Sequence, residues 1–240
     1  MMPLVYAPLG DRTLSIQFEP VISVNMNRRI HAFATIIREQ NIAGVIQTVI
    51  TFHTLAVVYD PAVLLYDELE QRLRQLERQM DATGEQYGQL VHIPVAFGGE
   101  FGPDLAEIAA AAQMLPQQVV QLLAERSYYV HMIGFIAGLP YCGEIDERLV
   151  KPRRSSPRLH VPLGSVAIAD RLATVYTIDS PGGWHLMGWS PMLLFDPHRD
   201  QPGLLAAGDS VRFVPIEARE AMAWDAERQK EWDERWHISR

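Results

Sequence analysis

The chain has 240 residues, 48% hydrophobic and 21% charged, which is globular composition with room for one large domain or two modest ones. A formal net charge of −8 argues against nonspecific binding to nucleic acid or anionic membrane, both of which need a basic surface. The single cysteine, Cys142, excludes an intrachain disulfide, and Met1-Met2-Pro3-Leu4-Val5-Tyr6 lacks the basic and apolar regions of a signal peptide, so a cytoplasmic protein is expected.

Leu14, Ile16 and Phe18 alternate with Thr13, Ser15 and Gln17, the period-2 pattern of a half-buried strand entered through Gly10-Asp11. Met26, Ile30, Phe33 and Ile37 recur at helical spacing, and Gly44 is expected to close that segment. Val45–Phe52 and Leu55–Tyr59 are rich in β-branched and aromatic residues, with Asp60-Pro61 ending the second run. Leu69, Leu73, Leu76 and Met80 predict another helix, with Glu70 and Arg74 spaced to pair along it. Strands and helices in this order predict an α+β N-terminal domain, residues 1–83, with helices on one face of an antiparallel sheet. Ala82–Gln89, polar and holding Gly84 and Gly88, reads as a linker.

Val91–Phe97 is a strand candidate, Gly98–Gly102 a loop, and Pro103 is expected to open a helix through Leu105, Ile108, Ala109 and Ala112. Pro116 opens a second, with Val119, Val120, Leu122 and Leu123. These two short helices scan as a helix-turn-helix, yet Gln117–Ala124 holds no lysine or arginine to reach bases and phosphates, so DNA binding is not expected. From Tyr128 to Ile216, short apolar runs separated by Gly/Pro clusters predict a β-barrel or sandwich, placing a second domain at 84–216. A charged amphipathic helix is expected over 217–240. Its Trp224, Trp232 and Trp236 fall within about 120° on a helical wheel. That stripe is expected to pack on the chain's own barrel, a partner-binding helix being the alternative.

No stretch approaches the ~20 apolar residues needed to span a bilayer. His92, His131, His160, His185 and His198 lie on different segments without metal-ligand spacing, so no metal site is expected. There is no phosphate-binding loop ending in Lys-Ser/Thr, no GxGxxG, no HExxH and no GxSxG, hence no self-contained nucleotide site and no nucleophile elbow. No local feature activates Cys142, which reads as core.

Three segments carry chemistry. Gly134-Phe135-Ile136-Ala137-Gly138-Leu139-Pro140-Tyr141 sets two glycines and a proline among large apolar residues, a rigid turn able to wall a pocket with Phe135 and Tyr141, or simply a tight barrel corner. Lys151-Pro152-Arg153-Arg154-Ser155-Ser156-Pro157-Arg158 places four cations in eight residues, and arginine's planar fork suits carboxylate or phosphate. Ser180-Pro181-Gly182-Gly183-Trp184 offers backbone N–H groups for an anion and an aromatic wall, with His185 next to it as an acid/base candidate; a hairpin with an anchoring tryptophan is the plain alternative.

With these segments in hand, the chain resembles the 5-oxoprolinase B-subunit family (PxpB), also called KipI or allophanate hydrolase subunit 1. The resemblance runs from Leu9-Gly10-Asp11 to Gly208-Asp209-Ser210-Val211-Arg212-Phe213 and includes His92-Ile93-Pro94-Val95, Gly102-Pro103-Asp104-Leu105, Gly134-Phe135, Pro152-Arg153-Arg154 with Ser156-Pro157-Arg158, Gly164–Ile168 and Ser180–Trp184. Ala137, Leu139 and Cys142 depart from the family's GFxPGFPYLG turn, Leu123 stands where a histidine is common, and Trp189-Ser190 where Arg-Thr is usual. The resemblance implies an α+β N-terminal domain followed by a cyclophilin-like β-barrel. It also implies a role in an ATP-dependent 5-oxoprolinase, whose larger partner is related to allophanate hydrolase subunit 2 and whose other partner is LamB/YcsF-like. ATP would be used by the complex. Within it, Arg153, Arg154 and Arg158 are expected to hold a carboxylate or a phosphoryl oxygen. Gly182 and Gly183 would serve an oxyanion, Tyr141 and Trp184 would shape the pocket, and Phe135, Ser180 and His185 complete the candidate set. The family also contains inhibitors of sensor histidine kinases, and related domains of urea carboxylase form a carboxyltransferase half-site.

Overall fold

The computed structural model describes residues 3–80 and 88–238. The chain divides into two compact units, Met1–Tyr87 and Gly88–Arg240. The expected boundary at 83/84 and most of the expected linker, Ala82–Gln89, lie outside the described residues.

In the first unit, β1 (Val5–Pro8), β2 (Thr13–Gln17), β3 (Val45–Ile50) and β4 (Thr54–Tyr59) form an antiparallel sheet in the order β1-β2-β4-β3, with helices α1 (Val24–Glu39) and α2 (Tyr66–Glu77). The alternation in β2 and β4 buries Leu14, Ile16, Leu55 and Val57 against Ile30, Phe33 and Ile37 of α1 and Leu69, Leu73 and Leu76 of α2. Ser23 starts α1 by accepting a hydrogen bond from the Met26 amide at 3.1 Å, which satisfies one of the helix's unpaired donors. Gly44 does not close this helix. The helix is capped at Gln40, and Gly44 turns the chain into β3 with φ +90°, where a Cβ would lie 2.8 Å from Leu64 Cβ.

The second unit is a closed seven-stranded barrel. Its strands are β5 (Leu90–Phe97), β6 (Tyr128–Ile133), β7 (Pro140–Gly143), β9 (Ser165–Ala169), β10 (Leu172–Val175), β12 (His185–Trp189) and β13 (Ser210–Pro215), in the order β10-β7-β6-β13-β5-β12-β9. A separate ribbon pairs β8 (Arg158–Val161) with β11 (Ser180–Gly182). Neighbours in the barrel run antiparallel except β13 and β5, which run parallel from Ser210↔Leu90 to Pro215↔Val95. Closure pairs every strand edge, and Val91, Ile93, Val130, Val166, Met187 and Phe213 fill the interior. Helix α3 (Leu105–Ala111) begins two residues after Pro103, because Asp104 takes the capping position, whereas α4 (Pro116–Ala124) does start on its proline.

His131, on β6, is only 1% exposed, and burial pushes its pKa down to about 4. The unfolded chain therefore takes up this proton at a higher pH than the folded one. The stability contributed by the neutral ring is present above about pH 6.5 and is lost as pH falls towards 4. Chemical denaturation followed across that window is expected to show declining stability. A His131→Phe variant should show a shallower decline, and parallel curves for the two proteins would contradict this assignment.

The C-terminal segment forms two helices, not the single one expected: α5 (Ala218–Met222) and α6 (Ala226–Trp236). The break arises at Asp225, whose side chain caps α6 by accepting from the Arg228 amide at 2.9 Å. Trp232 is buried and donates its indole N–H to the His92 carbonyl at 2.8 Å, while Trp236 stacks on the His92 ring at 3.8 Å. Trp224 meets Trp232 edge-on at 5.5 Å. The tryptophan stripe thus packs on the chain's own barrel. Among the described residues no helix is long and apolar enough to cross a membrane.

Candidate functional site

The turn after β6 is tied by Gly134 N–H to the Leu139 carbonyl at 3.0 Å and Ile136 N–H to the Gly134 carbonyl at 2.9 Å. It holds Phe135 at φ +70°, a conformation costing a bulky residue on the order of 1–3 kcal/mol, and leaves the residue 65% exposed. Strain of this kind persists only where the surroundings enforce it, and here it aims an aromatic ring at the mouth of a cleft.

Opposite this turn, the arginine loop and the glycine turn are laced together. Arg154 N–H donates to the Gly183 carbonyl at 2.8 Å, and Arg158 is paired in register with Gly182. Asp104 joins them from the start of α3. One of its oxygens accepts from Arg158 Nη2 at 2.8 Å and Arg154 Nη1 at 3.3 Å, and the other from the Leu186 amide at 2.7 Å. Burial alone would raise this carboxyl's pKa, but the Arg158 and Leu186 hydrogen bonds and the nearby Arg154 outweigh it and hold the group below the usual carboxylate range. Lys151 is likewise paired, with Glu107.

These pairings divide the four cations of the loop. Arg153 makes no ion pair among the described residues and lies over the Trp184 ring, 5.6 Å from its centroid. Trp184 meets Tyr141 edge-on at 5.8 Å. Together with Phe135, Leu139 and Thr174, these side chains enclose a cleft of about 60 Å³, completed by Tyr176 and the backbone of Gly182 and Gly183. Gly182 is needed here for close approach, because a Cβ would sit 2.2 Å from the Tyr176 hydroxyl. Burial and then Tyr141 raise the pKa of that hydroxyl, while Arg153 and Arg158 act to lower it, so it remains a neutral donor.

Phe135, Tyr141, Arg153, Gly182, Gly183 and Trp184 therefore converge as the cleft lining. Arg154 and Arg158 point to Asp104. His185 is buried with Nε2 2.9 Å from the Pro152 carbonyl, so it braces the arginine loop, and Ser180 lies on the ribbon with its hydroxyl buried. Sequence reasoning missed Tyr176, Thr174 and Asp104. The first two sit on or just after β10 in an ordinary apolar run, and Asp104 lies about fifty residues from the arginines it binds. Cys142 is fully buried, and desolvation raises its pKa well above the usual thiol range, leaving it unsuited to nucleophilic attack. Among the described residues, no group of three or more His, Cys, Asp or Glu could hold a metal ion. The arrangement suits a small flat anion: one guanidinium fork at the rim, aromatic walls, and polar groups at the floor.

Residues 4–205 match the family described as carboxyltransferase domain, subdomain C and D. The chain is 39% identical to the B subunit of the Bacillus subtilis 5-oxoprolinase, over 91% of this chain and 95% of that protein. It is 38% identical to the corresponding 5-oxoprolinase B subunit from Escherichia coli O157:H7, over 86% and 94% respectively. Among solved structures it resembles TTHA0988 with a TM-score of 0.76 at 32% identity, covering 86% of this chain but 40% of that longer one.

Proposed function

The chain belongs to the carboxyltransferase subdomain C and D family, and from that premise we propose that it is the B subunit of an ATP-dependent 5-oxoprolinase. In this reading it works in the cytoplasm with two partners, the C subunit, like allophanate hydrolase subunit 2, and the LamB/YcsF-like A subunit. Together they open 5-oxo-L-proline to L-glutamate. The observation that carries the assignment to this cleft is Arg153 standing over an aromatic wall without an ion-pair partner among the described residues.

5-Oxo-L-proline is a five-membered lactam bearing one carboxylate. The Arg153 fork matches that carboxylate, and Tyr141 and Trp184, which meet edge-on, offer one continuous aromatic wall to the ring. Gly182, Gly183 and Tyr176 stand where hydrogen-bond donors can meet the lactam oxygen as charge develops on it. An unstrained amide is a poor electrophile, so the reaction needs activation, which ATP supplies by phosphorylating the lactam oxygen. The sequence holds no phosphate-binding loop and no GxGxxG, and ATP use is assigned to the assembly. The residues of this chain bind, orient and desolvate the lactam.

The test is to co-express the chain with these two partner proteins, purify the complex and measure ATP hydrolysis with and without 5-oxo-L-proline. Hydrolysis that depends on 5-oxo-L-proline is expected. An intact heteromer that shows none would overturn the enzyme reading in favour of a regulatory one.

A further inference from the structure

The arginine loop carries enough positive charge for a phosphoryl dianion, yet most of that charge is turned away from the cleft. Asp104 is 4% exposed and does this with a single carboxylate. Its Oδ1 takes Nη2 of Arg158 and Nη1 of Arg154, while its Oδ2 is fixed by the Leu186 amide, so it cannot swing out to follow the arginines. Two directional donors and one unit of positive charge are thereby withdrawn. What remains at the cleft lining is one guanidinium, that of Arg153.

We propose that Asp104 is the specificity-determining residue of the cleft, restraining Arg154 and Arg158 so that the site selects monoanions carrying a carboxylate over dianions of phosphate shape. This deepens, and rests on, the reading of the cleft as a small-lactam site. A carboxylate presents two oxygens in a plane and is matched by one guanidinium fork. A phosphoryl group presents three oxygens around a tetrahedral centre and needs donors from several directions. Arg154 and Arg158 adjoin the cleft through the backbone of Gly183 and Gly182, and Asp104 holds both guanidiniums. The consequence is a division of labour in which this cleft holds the lactam by its carboxylate, while the phosphates of the nucleotide are held elsewhere in the assembly.

Removing the charge of Asp104 adds one net positive charge beside the cleft, and a dianion feels that addition twice as strongly as a monoanion. Releasing the two guanidiniums adds donors that only the tetrahedral anion can use fully. Both effects shift selectivity in the same direction.

The experiment is calorimetric titration of the full chain with two probes, 5-oxo-L-proline and sulfate, the latter a tetrahedral dianion at every pH of interest. The wild type is expected to bind 5-oxo-L-proline in clear preference to sulfate. Asp104→Asn should shift the affinity ratio towards sulfate by about tenfold or more. Asp104→Glu, which keeps the charge, should retain the wild-type preference. A merely structural role would weaken both ligands together and leave the ratio alone, and that result would overturn the proposal. If Asp104→Asn does not fold, the wild type still decides the matter, since sulfate binding as tightly as 5-oxo-L-proline would contradict it directly. Binding of sulfate but not 5-oxo-L-proline would overturn the lactam reading itself. A wild-type preference for the lactam with an unmoved ratio in Asp104→Asn would overturn only the role of Asp104.

Discussion

Replacing Trp232 with alanine is expected to destabilise the barrel unit by about 3–5 kcal/mol, the range for emptying a large aromatic site in a packed core. Trp232 is 6% exposed and belongs to the same cluster of buried residues as Val91, Ile93 and Phe213. Its truncation removes the indole donor to the His92 carbonyl and the ring against which Trp224 and Trp236 lean. The Trp236 stack on the His92 ring remains, but a helix of eleven residues whose other face is charged is marginal without a buried anchor. In a unit of this size the loss corresponds to a fall in melting temperature of about 6–20 °C. Scanning calorimetry measures it, and a shift below about 2 °C would mean that the tail merely rests on a surface. Affinity for 5-oxo-L-proline is expected to stay unchanged in the folded variant, since none of the three tryptophans lines the cleft.

Local patterns in the sequence make much of this fold legible. Leu14-x-Ile16 and Leu55-x-Val57 announce two strands of the first unit, and the spacing of Ile30, Phe33 and Ile37 announces the helix that covers them. β1 escapes because four residues ending in proline are too short to establish an alternation. The parallel pairing of β5 with β13 escapes for a different reason: residues 120 apart in the chain are brought together by barrel closure, which periodicity does not encode. The charge and stripe of the tail suggest one helix, although Asp225 marks the start of a second.

The candidate site shows the same division more sharply. Aromatic residues and glycines can be picked out from their own segments, and Phe135, Tyr141, Gly182, Gly183 and Trp184 do meet. The cations can be counted but not assigned. Arg153, Arg154 and Arg158 look equivalent in a sequence, and what separates them is Asp104, placed beside them by the packing of α3 against β12. A cluster of like charge reveals the number of its members. Its counter-ions, when they come from another element, become visible only in the fold.

That separation makes Arg153 the residue on which the functional reading turns. Its side chain is exposed and makes no ion pair among the described residues, so truncating it should leave the fold intact. A hydrogen bond between charged partners contributes about 1.5–3 kcal/mol. Losing the fork in Arg153→Ala should therefore lower kcat/KM for 5-oxo-L-proline by about 10- to 150-fold. The loss is expected mainly in KM, because the substrate carboxylate is bound alike before and during the reaction. Arg153→Lys should fall between wild type and alanine, keeping the charge without the planar fork. The deciding measurement is kcat/KM for 5-oxo-L-proline in the purified complex with both partner proteins, wild type against Arg153→Ala. A drop of at least about tenfold carried by KM is the predicted result, and a value within about threefold of wild type would contradict the placement of the substrate in this cleft.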